Sequence, residues 1–501
     1  MSDQRWTVAP LRSAGKAFNF GASVSGVDLN NLTVGDRASI RCLLDEHLFL
    51  HFPGQSIRPE AEASLARSFD PKATTVWRDQ RSNPWERYKA EHMGGGGTYQ
   101  LPEHPETLAL GKGEVKEHYG LNATLGGARA AYGKVKGSQV IGGGSLQWHI
   151  DGAFWRTHPP AVSLMSCVVA PGEGRESHSV EYGDGAVLEC PLGGTTFVSA
   201  VTAFHLLTPE EQHRACRTTC HYFSHPFRRF ATATNTQDGL RCQGVPLALS
   251  PAEEGEAAAG CVAYPLVWRH PRTGRLALMP HTRCLSHLEV LGEGGQVATV
   301  PLEPARQWLH TLMRRSVEPA RVLAHRWRAG DVCLWDNHAV WHSATGGLRE
   351  GDTRLMHLTS FDGSSAPMGP IGPGPAGGER SVVLCLVIGQ TPREDLTAAL
   401  RALVRPAGVE LVTVGALDDC SPQQIAAVQA AAATDGSTPL ITRLRDGSTV
   451  TVSEAALVPL LQDKLAHWVR SLSPQLIGAV VLCAGRFRGL HSAFTAPAVP
   501  L

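Results

Sequence analysis

The stretch LQWHIDGAFW, residues 146–155, places a histidine and an aspartate two positions apart between two tryptophans. We interpret it as a β-strand, in which side chains at i and i+2 point to the same face. His149 and Asp151 could then reach one metal ion from a single strand. The pair alone is weak evidence, because the chain has 22 histidines and an H-x-D pair also arises by chance.

A third ligand is offered by WDNHAVWHSATGG (335–347), where His342 ends a predicted strand. The following segment, REGDTRLMHLTSF (349–361), carries Arg354 on what we expect to be the returning strand. Two histidines and one carboxylate that leave three positions open are the ligand set of non-haem Fe(II) oxygenases. An arginine can pair with a carboxylate through two hydrogen bonds. His338 remains an alternative to His342 as the third ligand. Arg349 remains an alternative to Arg354 as the arginine that binds a carboxylate.

Composition excludes several classes of function. The 46 basic and 46 acidic residues give no net charge, so we expect neither nucleic acid nor an anionic membrane as a partner. No apolar run approaches the roughly 20 residues of a spanning helix, and the start MSDQRWTVAP lacks a signal-peptide core. The 12 scattered cysteines are typical of reduced thiols, so we expect a cytoplasmic protein with a small-molecule substrate; a homo-oligomer stays open.

One weak cluster that resembles a metal site is formed by Cys216, Cys220 and His221, although cysteines spaced i, i+4 are more typical of a buried helix face.

A segment rich in Gly, Pro and Ser, GSSAPMGPIGPGPAGGER (363–380), predicts a linker between a domain at 1–362 and a second at 381–501. The first domain shows many short strand patterns with Gly-rich turns and few helices, which favours a β-sandwich or a jelly roll (double-stranded β-helix) with flanking helices. The helices are expected at 34–47 and 303–317. The clearest strand patterns lie at 24–29, 47–52, 161–170, 195–201, 274–279 and 331–337.

The C-terminal domain alternates strand and helix patterns, which predicts an α/β fold and makes the whole chain a mixed protein. Ser421 and Pro422 suit the N-cap and first position of a helix. Asp446-Gly447 stands between two alternating runs and predicts a hairpin. Further strands are expected at 382–389, 409–416 and 476–485, with helices after the first of these and at 454–470.

Taken in order, the motifs W-H-I-D, W-D-N-x-x-x-W-H-S-A-T-G and R-L-M-H resemble the TauD/TfdA family of Fe(II)/2-oxoglutarate-dependent dioxygenases. FGASVSGVDLNNLT (20–33) and PLGGTTFVSA (191–200) are similar to further segments of that family. The resemblance implies that the chain uses O2 to decarboxylate 2-oxoglutarate to succinate and CO2 and hydroxylates a substrate. It also implies residue roles: His149, Asp151 and His342 as Fe(II) ligands, and Arg354 and Thr196 as contacts of 2-oxoglutarate.

Within the family the chain most resembles the fungal-type xanthine dioxygenases, through DLNNLT, WHID, PPAVSL, PLGGTTFVS and LVWRHPRTGRLAL. This implies oxidation of xanthine to uric acid. The chain departs from that subgroup after the co-substrate arginine, where the subgroup carries amide side chains and this sequence has Leu358, Thr359 and Ser360. The inserted segment 172–185 and the glycines 94–97 are candidate lids.

The C-terminal segments VLCLVIGQTPREDL, VTVGALDDCS, LITRLRDGSTVTV and VVLCAGRF resemble the AroM-like proteins, of which this chain would hold only half the length. That family resembles one lobe of the aspartate/glutamate racemases, in which a cysteine at a strand end acts as acid or base. Cys483 takes such a position, and Cys420 opens a predicted helix whose dipole should lower its pKa. Two alternatives to the dioxygenase therefore stay open: a sensor that binds metal and 2-oxoglutarate without turnover, and a racemase-like or isomerase-like enzyme led by this domain.

Overall fold

The structure, a computed structural model, divides into two compact units, Met1–His270 with Arg275–Pro370, and Pro271–Gly274 with Ile371–Leu501. The division at Pro370 lies inside the segment 363–380. No helix within the described residues is both long and apolar enough to cross a membrane. The structure describes residues 6–12, 16, 18–73, 98–126, 146–153, 157–171, 177–223, 234–246, 248, 262–348, 351–370, 382–393, 396–397, 400, 409–437, 439–472 and 476–482.

The first unit is built mainly from strands, most of them short. They are β1 Thr7–Pro10, β2 Ala22–Ser25, β3 Phe49–Phe52, β4 Thr98–Gln100, β5 Thr107–His118, β6 Leu121–Gly126, β7 Val162–Val169, β8 Ser177–Glu181, β9 Val187–Pro191, β10 Thr195–Ser199, β11 Thr218–Tyr222, β12 Thr234–Asn235, β13 Cys242–Gln243, β14 Val262–Pro265, β15 Val267–Arg269, β16 Leu276–Leu278, β17 Leu285–Leu291, β18 Val297–Val300, β19 Leu323–His325, β20 Val332–Asp336, β21 Val340–Ala344 and β22 Arg354–Ser360.

The strands of the first unit form three principal sheets. The largest has the order β1-β2-β3-β20-β7-β22-β5-β4, with β6 beside β5, and every neighbouring pair except β2–β3 is antiparallel. A smaller antiparallel sheet has the order β19-β10-β21, and a third has the order β14-β11-β17-β18. The remaining pairs are hairpins, β8-β9, β12-β13 and β15-β16.

Five described helices flank these sheets: α1 Val34–His47, α2 Pro59–Phe69, α3 Ala200–His205, α4 Pro209–Cys216 and α5 Leu302–Arg314. The first begins where the sequence predicts, because Thr33 and Asp36 form a reciprocal capping box. It ends at His47, and the capping residue that follows, Leu48, adopts a left-handed conformation with φ 63°. The helix predicted at 303–317 is shorter than expected, since its last residues form a 3-10 turn, Arg315–Val317.

The centre of the large sheet is buried on both faces, and β20 shows this by alternation. Cys333 and Trp335 join one core, shared with the small sheet, whereas Val332 and Leu334 join another core with residues of α1 and α2. A strand buried on both faces carries a continuous apolar run, which explains the pattern of residues 331–337. The first core is the one that surrounds the predicted metal ligands.

The second unit contains β23 Val382–Val387, β24 Glu410–Gly415, α6 Pro422–Ala431, β25 Pro439–Arg443, β26 Thr449–Ser453, α7 Glu454–Leu472 and β27 Leu476–Leu482. Three of its strands form a parallel sheet in the order β24-β23-β27. Ser421 caps α6 with Pro422 at its first position, and β25 pairs with β26 across the turn that holds Gly447, so both predictions are confirmed. The helix expected after β23 falls largely outside the described residues.

The mixed α/β class is confirmed, while the closed jelly-roll arrangement stays a prediction. Two local predictions are wrong. Residues 146–153 do not form a strand: His149 makes one isolated bridge to His342, and the chain turns at Asp151–Ala153, where Gly152 has φ 77°. Cys216 and Cys220 do not share a helix face, because α4 ends at Cys216 and Cys220 lies on β11.

Candidate active site

The three predicted metal ligands converge in the interior of the first unit. His149 and His342 exchange two backbone hydrogen bonds of 3.0 Å, which brings their imidazole rings to a centroid distance of 4.2 Å. One carboxylate oxygen of Asp151, Oδ1, faces both rings, 3.9 Å from Nε2 of His149 and 3.6 Å from Nε2 of His342. The ligand atoms lie within 4.8 Å of one another. The structure thus brings the three predicted ligands together, although not through the strand that the sequence suggests.

Asp151 is held in the turn by two other side chains. The Asn337 amide brackets its backbone: Oδ1 accepts from the Asp151 N–H at 3.0 Å, and Nδ2 donates to the Asp151 carbonyl at 3.0 Å. The Ser163 hydroxyl donates to Oδ2 of Asp151 at 2.6 Å. These contacts replace the strand pairing that we expected, and they leave Oδ1 aimed at the histidines. In the sequence, the signal for this bracket is the asparagine of the W-D-N motif, Asn337.

The histidine rings present their Nε2 atoms to this oxygen. Nδ1 of His149 lies 2.9 Å from the Gln147 carbonyl, which can only accept, so Nδ1 donates to it and Nε2 faces Asp151. Burial lowers the pKa of His342 to about 3; the neighbouring His149 lowers it further, and Asp151 opposes the shift. A neutral imidazole is the form that binds a metal.

The donor set fits a divalent transition metal. Two imidazole nitrogens and one carboxylate oxygen face one another at separations too long for hydrogen bonds. Such a gap costs free energy unless something fills it, because these groups are buried or half-buried. A carbonyl oriented on the far nitrogen of His149 and a hydroxyl on the far oxygen of Asp151 are typical of the outer contacts that orient metal ligands.

Arg354 begins β22 and is buried at 8% exposure. Its Nε donates to the carbonyl of Gly193 at 3.0 Å, and the N–H of Gly193 donates to the Gly346 carbonyl, just past the strand that carries His342. Gly193 has φ 58°, and a Cβ there would lie 2.8 Å from Leu348 and Pro171. The first glycine of the Gly-Gly pair is therefore required for the loop to approach the arginine.

Thr196 is fully buried on β10, where its hydroxyl donates to the Ser343 carbonyl at 3.1 Å. Its cross-strand partner is Ser343, whereas the next residue, Phe197, is paired with His342. The structure thus places Thr196 one residue from the pair that contains the predicted metal ligand His342. Its contact with 2-oxoglutarate stays a prediction.

The alternative candidates for the third ligand and for the arginine lie either away from the predicted ligands or outside the described residues. His338 packs against Trp268 in the turn before β21, away from the three ligand atoms, and Arg349 is not described. His357 faces α2, where Nδ1 lies 3.2 Å from a Glu62 carboxylate oxygen. The candidate lid glycines 94–97 and residues 172–176 are also outside the described part.

The positions after the arginine divide between the two faces of β22. Leu358 packs against the core that surrounds the metal ligands, whereas the Thr359 hydroxyl donates to Glu62 on the α2 side. Of the three positions at which the sequence departs from the fungal-type subgroup, Leu358 and Ser360 therefore share the face of the site, and Ser360 is the cross-strand partner of Ser163, which contacts Asp151.

The predictions for the cysteines are mixed. Cys220 is fully buried and does not approach a metal cluster with Cys216 in the described part of the chain. Burial raises the pKa of Cys420, with Lys464 opposing the shift and two neighbouring aspartates adding to it, so the lowered pKa that we expected is wrong. Cys483 lies outside the described residues.

Comparisons with known proteins agree with these features. A model of the family described as "Taurine catabolism dioxygenase TauD, TfdA family" matches residues 7–360, and an AroM protein model matches residues 383–498. The alpha-ketoglutarate-dependent xanthine dioxygenase xan1 of Schizosaccharomyces pombe is 31% identical over 382 residues, which cover 73% of this chain and 90% of the relative. The corresponding xanA enzyme of Emericella nidulans is 30% identical over 358 residues, covering 70% and 95%. A taurine dioxygenase structure from Burkholderia xenovorans superposes with a TM-score of 0.44 and 18% identity, over 74% of this chain and 94% of that one.

Proposed function

Because the chain belongs to the TauD/TfdA family and is an Fe(II)/2-oxoglutarate-dependent dioxygenase, we propose that it oxidises xanthine to uric acid. The stoichiometry would be xanthine, 2-oxoglutarate and O2 to uric acid, succinate and CO2, with one oxygen atom entering each organic product. The observation that carries the proposal is the convergence of two imidazole Nε2 atoms and one carboxylate oxygen in the core. Support for the substrate comes from the two relatives, about 30% identical, that are named xanthine dioxygenases.

His149, Asp151 and His342 would hold the metal. When bound, Fe(II) supplies the redox chemistry that couples 2-oxoglutarate decarboxylation to substrate oxidation. The chain keeps the three ligands on one side of that position, because His149 and His342 are bridged through their backbones and Asp151 is fixed by Asn337. A one-sided ligand set leaves positions open for 2-oxoglutarate and O2.

Arg354 would bind the distal carboxylate of 2-oxoglutarate. Its Nε is already anchored on the Gly193 carbonyl, which fixes the plane of the guanidinium before the co-substrate arrives. A buried guanidinium gains more from a carboxylate than an exposed one does, since water competes less. Thr196 would add a hydroxyl to the same co-substrate.

The surroundings of His342 favour a dry site. Phe197 stacks with the His342 ring at a centroid distance of 6.3 Å, and Trp335 lies 4.9 Å from it on the other sheet. Both aromatic residues are fully buried, so they exclude water from that side of the predicted iron position.

The metal assignment is tested anaerobically. Fe(II) and then 2-oxoglutarate are added to the purified full chain, and the weak visible absorption of an iron–2-oxoglutarate chelate is sought. We expect the band in the wild type and no band in His342→Ala. A folded wild type that shows no band would refute the iron assignment.

The substrate is tested by succinate release in air with xanthine as the only added substrate, and by uric acid formed in equal amount. Hypoxanthine and taurine serve as comparison substrates. Equal succinate and uric acid with xanthine alone supports the proposal. Succinate release coupled to another compound but not to xanthine would leave the dioxygenase intact and refute the substrate.

The C-terminal region needs no catalytic role in this proposal. A Cys420→Ser variant of the full chain should oxidise substrate at the wild-type rate, because the thiol is half-buried with a raised pKa and the described fold assigns it no part in the iron site. A loss of turnover in that variant would favour an activity led by this region.

A further inference from the structure

A second pair of histidines faces one another on the third sheet of the first unit. His221 on β11 lies directly opposite His287 on β17, and their rings stack with a centroid distance of 4.3 Å and an interplanar angle of 12°. Glu289 is two residues beyond His287 on the same strand, so its side chain shares that face. Its Oε2 lies 3.0 Å from Nε2 of His221. We call these three residues the outer cluster.

The outer cluster lies on the solvent side of its sheet. The flanking residues of β11, Cys220 and Tyr222, are fully buried, whereas His221 and His287 are half-buried. The carboxylate of Glu289 is 39% exposed, so an ion can reach the group without opening the core. The sequence had suggested His221 as a ligand together with Cys216 and Cys220; the strand alternation instead separates it from Cys220.

The nitrogen atoms of the outer cluster are arranged for a ligand. The Ser286 hydroxyl lies 3.1 Å from Nδ1 of His287, which occupies that nitrogen and leaves Nε2 for a cation. Nε2 of His221 is shielded from solvent and has no hydrogen-bond partner among the described residues, although the Glu289 oxygen is near it. A shielded ring nitrogen that faces a carboxylate oxygen without a hydrogen bond is costly, and a metal ion bound by both atoms would satisfy them.

We propose that His221, His287 and Glu289 form a second metal site, separate from the iron site, that binds Zn²⁺ or a similar borderline divalent cation. The three ligand atoms lie within 4.8 Å of one another. Two imidazoles and one carboxylate are common zinc ligands, and zinc completes its tetrahedron with water when the protein supplies three. The oriented Ser286 contact corresponds to the hydrogen bond that most metal-bound histidines make through the far nitrogen.

A cation in the outer cluster would join β11 to β17 where their register shifts, between His221 and Tyr222. Because binding needs both strands in place, it stabilises only the folded state. The link reaches towards the iron site: the Tyr222 hydroxyl accepts from the backbone N–H of His281, whose ring lies 6.0 Å from that of His149. A bound cation would therefore stiffen β11, whose Tyr222 contacts His281 beside the predicted iron ligand His149.

The proposal is tested by zinc stoichiometry on the metal-free full chain, measured by equilibrium dialysis and elemental analysis. Since zinc also binds two histidines and a carboxylate of the iron site, we expect two zinc ions per chain in the wild type and one each in His287→Ala and His342→Ala. The double variant should bind none. The control His213→Ala, which removes an exposed histidine of α4, should keep two.

Two further measurements guard against a variant that misfolds. Glu289→Gln changes one exposed ligand without emptying a core position, and we expect at least about tenfold weaker zinc binding at the outer cluster. Cobalt(II) should give intense tetrahedral absorption that is absent in His287→Ala and retained in His342→Ala. A wild type that binds one zinc ion, lost in His342→Ala, would overturn the proposal. Two zinc ions in a folded His287→Ala would overturn it as well, whether or not the iron assignment holds.

Discussion

Two interior groups of the first unit contain two histidines and one aspartate, yet their donor atoms are spaced differently. In the proposed iron site, Oδ1 of Asp151 stands 3.6 Å from Nε2 of His342 and 3.9 Å from Nε2 of His149. In the other group, formed by His51, His325 and Asp331, Oδ1 of Asp331 stands 3.0 Å from His51. Its Oδ2 accepts from the backbone N–H of Arg328 at 2.8 Å and lies 3.5 Å from His325.

The difference shows how the same donors can serve structure or metal binding. Both oxygens of Asp331 accept hydrogen bonds from protein donors, Oδ1 from His51 and Oδ2 from the Arg328 N–H, so this carboxylate is already satisfied within the protein. Asp151 is anchored through its backbone and Oδ2, which leaves Oδ1 facing two nitrogens that it does not bond. The two groups have the same residue types and are both in the interior. They differ in the contacts of the aspartate oxygens, and those contacts decide whether the group serves structure or metal binding.

The largest expected effect comes from removing an iron ligand. His342→Ala should lower substrate turnover by at least about a thousandfold, because the metal loses one of three protein ligands and its orientation. Iron content after dialysis against Fe(II) and succinate release measure the effect. His325→Ala is the matched control from the other group and should retain iron binding; loss of iron in that variant would erase the distinction between the two groups.

The next effect is on stability. Asp331→Asn removes the carboxylate charge that faces His51 and His325. It should lower the free energy of unfolding by about 3 kcal/mol, measured by urea denaturation. Iron binding by the folded variant should be unchanged. An unaltered unfolding midpoint would show that the second group contributes nothing to the fold.

The pH dependence of that loss has a definite sign. Burial opposes ionisation of Asp331, but hydrogen bonds from His325 and His51 outweigh it and hold the pKa of the carboxyl well below its ordinary value. A carboxyl whose pKa is lower in the folded state stabilises the fold at pH above its unfolded pKa, about 3.9, and the contribution fades as pH falls further. The difference between wild type and Asp331→Asn should therefore persist from pH 7 to 5 and shrink below about pH 4.

Arg354→Ala should weaken 2-oxoglutarate binding by roughly 10- to 100-fold, since one charge-assisted pair is lost in a buried position. The apparent KM for 2-oxoglutarate and the titration of the anaerobic band report it. Iron content should not change, which separates this variant from His342→Ala. Arg326→Ala, a half-exposed arginine bonded to Ser177, is the control and should bind 2-oxoglutarate as the wild type does.

The sequence predicted which residues meet better than it predicted how they meet. Residue order and family motifs brought His149, Asp151 and His342 together as candidate ligands, which the structure places side by side, and capping residues fixed α1 to the residue. The turn at Asp151 was missed because its cause, the Asn337 bracket, lies almost two hundred residues away in the chain. The outer cluster was missed for the same reason: His221 and His287 meet only through strand pairing, which no local pattern reveals.

The smallest effect tests the anchoring on which the comparison rests. Asn337→Ala removes both bonds to the Asp151 backbone and a third to the Pro160 carbonyl, while all three metal ligands stay in the chain. We expect Fe(II) affinity to fall about tenfold, the lower end for loss of an outer contact. Asn337→Asp retains the acceptor for the Asp151 N–H and should recover part of that loss. Wild-type iron affinity in a folded Asn337→Ala would mean that Ser163 alone aims Oδ1, and that the backbone bracket does not distinguish this aspartate from Asp331.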